Sequence, residues 1–192
     1  MRVLSINTST SLCSVSLFNN GSCDTLSKID VKDHTKYLSN FTSKILNDKY
    51  DNLDFIAVSV GPGAYAGLRT SISFCKGLSM AINKPIVPVN NFLCMNSKIS
   101  NDNKYYICIY SHRDFVYCQL FDKNKKVSKP ECIKIDKLKG HEIYGCGLEK
   151  ILNDKFNKVN LDSKIVGEFA IENYKSFIEK DVNKIEPIYL EI

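Results

Sequence analysis

Val58-Ser59-Val60-Gly61-Pro62-Gly63-Ala64-Tyr65-Ala66-Gly67-Leu68-Arg69-Thr70 is the stretch from which the rest of the chain can be read. An apolar run, Phe55 to Val60, has the length of a buried strand and ends in three glycines and a proline within seven residues. Glycines at that density mark a turn with unusual φ angles or a close approach of two backbones. After Gly67 the period changes. Leu68, Ile72, Cys75, Ser79 and Ile82 recur every three or four residues, as one face of a helix does. Phe74, Leu78 and Ala81 fall on another side, so the apolar surface is wider than a single core-facing stripe. Such a helix is either deeply buried or shared with a partner. Gly61, Pro62, Gly63 and Gly67 also fit two uses, a phosphate cradle at the helix start or a turn that lets elements pack closely. The spacing is neither a P-loop nor the dinucleotide fingerprint, which favours close packing.

Upstream, Arg2 to Asn7 reads as a first strand, and the alternation over Cys13 to Phe18 as a second. Asn19-Asn20-Gly21 signals a tight hairpin, since Asn and Gly accept the positive φ angles such turns need. Ser22 to Ile29 then pairs back as a third strand. Asp33 is placed to cap a helix beginning near His34, in which Tyr37, Phe41 and Ile45 share a face with Leu38 and Leu46 beside them. A polar loop over 47–52 leads into the strand at 55–60. Downstream, Pro85 to Val89 is a short strand and Phe92 to Lys98 a short helix. The order β-β-β-α-β-α-β-α specifies a mixed sheet with helical crossovers.

Ser100-Asn101-Asp102-Asn103 reads as a linker. Beyond it Tyr105 to Tyr110 and Phe115 to Phe121 form a hairpin around Ser111 to Asp114, followed by a polar, lysine-rich loop over 122–130. Short strands are expected at Glu131 to Ile135 and Ile143 to Gly147, and a helix over Ser163 to Tyr174. This reduced echo of the first half predicts two related lobes, residues 1–100 and 101–192.

The 192 residues contain no apolar run near the roughly 18–20 that span a bilayer, and the N-terminus enters a strand directly, so a cytoplasmic protein is expected. The net charge of +5 comes from dispersed lysines, with arginine only at Arg2, Arg69 and Arg113, and reads as a solvated surface rather than a nucleic-acid stripe. Eight cysteines without a C-x-x-C pair read as small buried hydrophobes rather than metal ligands or disulfides.

Leu4-Ser5-Ile6-Asn7-Thr8-Ser9-Thr10, Cys13-Ser14-Val15, His34 and above all Gly61 to Arg69 resemble the bacterial TsaB family, accessory proteins for making threonylcarbamoyladenosine in tRNA. The family turn reads G-P-G-S-F-T-G-L-R; Ala64, Tyr65 and Ala66 vary it. Arg113-Asp114-Phe115-Val116-Tyr117 and Glu186-Pro187-Ile188-Tyr189-Leu190 resemble later blocks, so the likeness spans nearly the whole chain. The resemblance implies an α/β fold of the actin/Hsp70/sugar-kinase (RNase H-like) type: two lobes, each a mixed sheet flanked by helices.

In that superfamily the turn between the first two strands holds nucleotide phosphates, which would make Asn7, Ser9 and Thr10 a nucleotide-contacting turn. Asn7, however, stands where most relatives carry Asp, and an amide brings no negative charge to Mg²⁺. The related catalytic family, TsaD, carries metal-binding histidines after its V-P-V strand. Here they would fall at Asn91 and Met95, neither of which replaces an imidazole. His34, His112 and His141 offer no substitute, each reading as structural or solvated. No catalytic residue and no metal ligand is therefore expected, nor a tightly bound cofactor; ATP and metal would be used by the partner complex.

The partners implied are a TsaD-like catalytic subunit, a TsaE-like ATPase, tRNA reached indirectly through the complex, and a second copy of this chain when it is alone, with no membrane. The expected interface comprises His34, Tyr37, Leu38, Phe41, Ile45, Tyr65, Leu68, Arg69, Ile72 and Cys75. The competing expectation is a stand-alone ATPase or small-molecule kinase on the same fold. A glycoprotease, the old superfamily label, would require the missing metal site.

Overall fold

Strand β1 (Arg2–Asn7) is the centre of a five-stranded sheet, and its period-two alternation feeds two different cores. Leu4 and Ile6 join Val15, Leu17, Ile56 and Val58 on one face; Val3 joins Phe18, Phe55 and Ala57 on the other. The computed structural model describes residues 1–47, 49–153 and 155–190. Asp48, within the expected polar loop, and Asp154, Glu191 and Ile192, within the expected second lobe, lie outside the described residues.

β1 pairs antiparallel with β2 (Cys13–Asn19), which pairs antiparallel with β3 (Ser22–Lys28). The turn between them places Asn20 at φ 47° and Gly21 at φ 93°, the left-handed pair a two-residue hairpin requires. Helix α1 (Thr35–Leu46) lies over β2 and β3. It starts one residue later than the sequence suggests. Asp33 nevertheless serves the helix start, its Oδ1 accepting from the Thr35 backbone N–H at 3.1 Å. Strand β4 (Phe55–Gly61) runs parallel to β1, with Val3 opposite Phe55. Helix α2 (Tyr65–Ile82) covers β4 and returns the chain to β5 (Ile86–Asn90), also parallel; α3 (Asn91–Asn96) follows without a break.

The second sheet repeats the first. Strands β6 (Lys104–His112) and β7 (Phe115–Asp122) form the hairpin, and β9 (Glu131–Lys134) pairs antiparallel with β7. Strand β10 (Glu142–Cys146) runs parallel to β6, and β11 (Asn157–Lys158) parallel to β10. The path β9-β7-β6-β10-β11 is thus the strand order β3-β2-β1-β4-β5 over again, with a small extra strand β8 (Lys125–Lys126) beside β7. The helices shrink: a 3₁₀ turn, Ile135–Leu138, and one-turn α4 (Glu149–Leu152) stand where the first sheet has α1 and α2. This duplicated mixed sheet is the two-lobe plan of the actin-like fold.

Helix α5 (Ser163–Phe177) leaves the second sheet and packs on β1, β4 and β5 of the first. Asp162 caps it, accepting from the Ile165 N–H at 3.0 Å. Val166, Phe169 and Ala170 complete the core containing Val3, Phe55 and Ala57. The tail then bridges to Ile86 through Glu179 and reaches the glycine turn, where the Ile188 N–H donates to the Val60 carbonyl at 2.7 Å.

Candidate functional site

The glycine turn packs directly on the loop that follows β1. The Ala64 N–H donates to the Ser9 carbonyl at 2.7 Å, and the Thr8 hydroxyl donates to the Gly67 carbonyl at 2.6 Å. A Cβ on Gly63 would collide with the Ser9 carbonyl oxygen, and one on Gly67 with that of Thr8. Gly61 differs: its φ of +105° lies in the left-handed region. The absence of side chains at these positions lets the turn approach the loop after β1 closely.

The first residues of the loop they pack against are buried. Asn7 and Ser9 are buried, and their polar groups are engaged within the chain. The Asn7 carbonyl oxygen accepts from the Ser9 backbone N–H at 2.9 Å and from the Ser9 hydroxyl at 2.7 Å, while its amide donates to the Leu161 carbonyl at 2.8 Å. The Asn7 side-chain oxygen, one of its amide hydrogens and the Ser9 hydroxyl, expected to contact nucleotide, are thus engaged within the chain. Thr10 is partly exposed, and Ser9, Thr10 and Ser11 together line the wall of a cleft.

Asn91 and Met95, where the catalytic relatives would place metal-binding imidazoles, are both fully buried. The Asn91 amide donates to Ser9 Oγ at 2.9 Å and to the Pro62 carbonyl at 2.8 Å, and its oxygen accepts from Ser59 Oγ at 2.6 Å. It is a cross-link between β4, the glycine turn and the β1–β2 loop. Met95 packs in the core shared by the two sheets. These residues do not fit a metal ion, and no group of three His, Cys, Asp or Glu that could hold one occurs among the described residues.

Seven of the eight cysteines are buried. Burial pushes Cys13 up to about 11 and Cys118 and Cys146 up to about 12, so these are protonated thiols rather than nucleophiles. His112 stacks on Phe115 and His141 meets Tyr106 edge-on.

A cleft of about 630 Å³ opens between the sheets, lined on one side by Thr10, Ser11, Lys32, His34 and Tyr65 and on the other by Tyr110, Ser111, His112, Glu149 and Lys150. His34, expected at a partner interface, faces this cleft and the glycine turn: it is 7% exposed, with Nδ1 buried and unpaired. Burial holds its pKa below the usual 6.5, against a weaker upward pull from a bond to the Thr10 backbone and from Asp33.

The helix pair also differs from expectation. Leu38, Leu68, Ile72 and Cys75 are 1%, 0%, 4% and 0% exposed and belong to the core over Leu4, Ile6 and Val58. Leu68, Ile72 and Cys75 are thus covered within the chain, while Leu38, buried too, also lines the groove between the two helices. Tyr37, Phe41 and Ile45 stay half-buried on the flank of α1. On α2 the open side carries Arg69, Ser73, Gly77, Met80 and Ala81, with Phe74 half-buried. Between the helices runs a groove of about 410 Å³ lined by Thr35, Leu38, Ser39, Arg69, Thr70, Ser73 and Phe74. At its end Tyr65 stacks on Tyr189 of the tail, centroids 4.7 Å apart, and Arg69 Nη1 donates to Tyr65 Oη at 2.7 Å.

Comparison with known proteins places this architecture. Residues 28–185 match the family model described as TsaD: tRNA N6-adenosine threonylcarbamoyltransferase. The protein named tRNA threonylcarbamoyladenosine biosynthesis protein TsaB from Buchnera aphidicola (subsp. Baizongia pistaciae) is 27% identical, over 98% of this chain and 97% of that one. The Escherichia coli K12 protein of the same name is 30% identical over 50% of this chain and 42% of its own length. Among solved structures, a Pseudomonas aeruginosa protein described as similar to peptidase YEAZ superimposes with a TM-score of 0.79 at 18% identity, covering 99% of both chains. The family match takes in β4 and β5, the second sheet and α5, and the near full-length relative carries the TsaB name, so the chain belongs to this family, as a member of its TsaB (YeaZ) group.

Proposed function

We propose that this chain is a non-catalytic subunit of the machinery that makes threonylcarbamoyladenosine in tRNA, at the adenosine beside the anticodon. It pairs through the open sides of α1 and α2 with a TsaD-like catalytic subunit, which holds the metal and performs the transfer, while a TsaE-like ATPase acts on the pair. The assembly works in the cytoplasm, and the assembly rather than this chain alone holds the tRNA. When no partner is present, two copies of the chain pair through the same helices.

Asn91 supports this reading most directly. Where a catalytic relative needs an imidazole, its amide and carbonyl make three hydrogen bonds to Ser9, Pro62 and Ser59, so the position serves the scaffold. The half-buried apolar flank of α1 and the groove beside Ser73 and Phe74 supply a surface for helix-to-helix docking. The test is reconstitution of tRNA modification with and without this protein, alongside ATPase and transfer assays of the protein alone. The expected result is modification only when the chain and its partners are together, with no turnover by the chain itself. Turnover by the isolated chain, or full modification in its absence, overturns the proposal.

A further inference from the structure

Tyr65 and Tyr189 are 56% and 44% exposed, and neither belongs to an apolar core of the molecule. They are nevertheless held in order, stacked with 28° between their planes. Tyr65 is fixed on the first turn of α2; Tyr189 is fixed by the bond from the adjacent Ile188 N–H to the Val60 carbonyl. Arg69, one turn further along α2, brings its guanidinium carbon to 5.0 Å from the centre of the Tyr65 ring and is anchored to the Tyr65 hydroxyl. Two exposed flat rings and a guanidinium, ordered without serving the core, match the chemistry that receives an unpaired nucleobase and the phosphate beside it.

The surroundings favour the same ligand. Tyr65 stands on the rim of the inter-sheet cleft together with Lys32 and Lys150. Asp30 and Glu149 share that rim, but Glu149 is paired with Lys158 at 2.8 Å. Arg69 also borders the groove between α1 and α2, whereas Met80, the exposed apolar side chain further along α2, lies about 22 Å along the helix from Tyr65.

We propose that Tyr65, Tyr189 and Arg69 make a direct RNA contact, an unpaired nucleobase of the tRNA stacking on the tyrosine pair while Arg69 meets its phosphate. This rests on the reading of the chain as a tRNA-modification subunit and adds to it a contact made by this chain itself.

The experiment uses an anticodon stem-loop RNA carrying 2-aminopurine in the loop, titrated with the chain alone and with the assembled complex. Stacking quenches the fluorophore. Tyr189→Ala is expected to weaken binding roughly tenfold and relieve the quench, and Tyr189→Phe to retain both. Arg69→Gln should weaken binding and lower the salt dependence by about one charge. Circular dichroism and partner association are followed for each variant. Equal RNA binding and quenching by the wild type and a folded Tyr189→Ala overturns the contact. So does a Tyr189→Ala that releases the protein partner while RNA binding is unchanged, since the cluster would then be a protein contact. Modification assayed with and without the chain reports separately on the parent reading. If the chain is required and Tyr189→Ala leaves RNA binding intact, only the contact fails; if the chain is dispensable, the parent reading fails.

Discussion

The side-chain amide of Asn7, at the end of the first strand, donates to the backbone carbonyl of Leu161 at 2.8 Å, joining positions 154 residues apart. Both groups are buried, and the bond fixes the entry to α5 against the loop after β1. The amide accepts from Ser9 while donating to Leu161, which an ionised carboxylate, an acceptor only, cannot do. Asn7→Asp should therefore destabilise the protein. A carboxylate would face the Leu161 carbonyl with no donor, at a cost of about 3 kcal/mol. Urea denaturation of the variant measures this, and an unchanged midpoint would show that the bond contributes nothing.

The glycines of the turn separate cleanly from a glycine in the same helix. Gly67→Ala puts a methyl group into the Thr8 carbonyl, backbone against backbone, and should cost about 2–3 kcal/mol. Gly77→Ala, in the middle of α2 with nothing within 4 Å of the added Cβ, should stabilise by about 0.5–1 kcal/mol. Thermal unfolding of the two variants should move in opposite directions. Gly77 also lies on the open side of α2, so its alanine variant serves as a mild probe of partner docking.

Charging the two sides of α2 should give different phenotypes. Ile72→Glu buries a carboxylate in the core over Ile6 and Val58 and should unfold the protein or cost about 4 kcal/mol or more. Ser73→Glu, one residue on and exposed in the groove, should leave the fold intact and weaken association with a TsaD-like subunit by at least about tenfold. Calorimetry and partner pull-down on both variants decide the matter. Unimpaired association of Ser73→Glu would take the groove out of the interface.

His34 gives stability a pH dependence. Its folded-state pKa is held below 6.5, so the unfolded chain binds the proton more readily. Stability then rises with pH across the window from the folded pKa up to about 6.5 and falls on acidification through it. Asp33, whose pKa is lowered chiefly by the Thr35 hydroxyl, acts below its usual 3.8, in a separate window. Melting temperatures between pH 7.5 and 5 should fall for the wild type and flatten for His34→Gln. Parallel slopes in the two proteins would assign the dependence to other groups.

Strands β1 to β7 were legible because alternation and turn residues are local signals, and the Asn20-Gly21 hairpin was fixed by its own chemistry. The two-residue strands β8 and β11 and the single turn of α4 are too short to produce a period. Helical periodicity showed that α2 has two apolar sides but not which one the sheet would take. Leu68, Ile72 and Cys75 went inward because that stripe meets Leu4, Ile6 and Val58, a match that only the folded arrangement reveals. The bonds from Asn7 to Leu161 and from Asn91 to Ser9, and the stacking of Tyr65 on Tyr189, join residues far apart in sequence and leave no local pattern.

The return of α5 to the first sheet sets the order in which the molecule can mature on the ribosome. Strands β1 to β5 are complete by Asn90, yet the face bearing Val3, Phe55 and Ala57 lacks its cover until residues 163–177 have been made. At ordinary translation speeds the nascent chain carries that uncovered apolar face for on the order of ten seconds while the whole second sheet is synthesised. A message truncated anywhere before α5 therefore yields a sticky polypeptide rather than a working half-molecule, and holdase chaperones would meet this protein through the inner face of its first sheet.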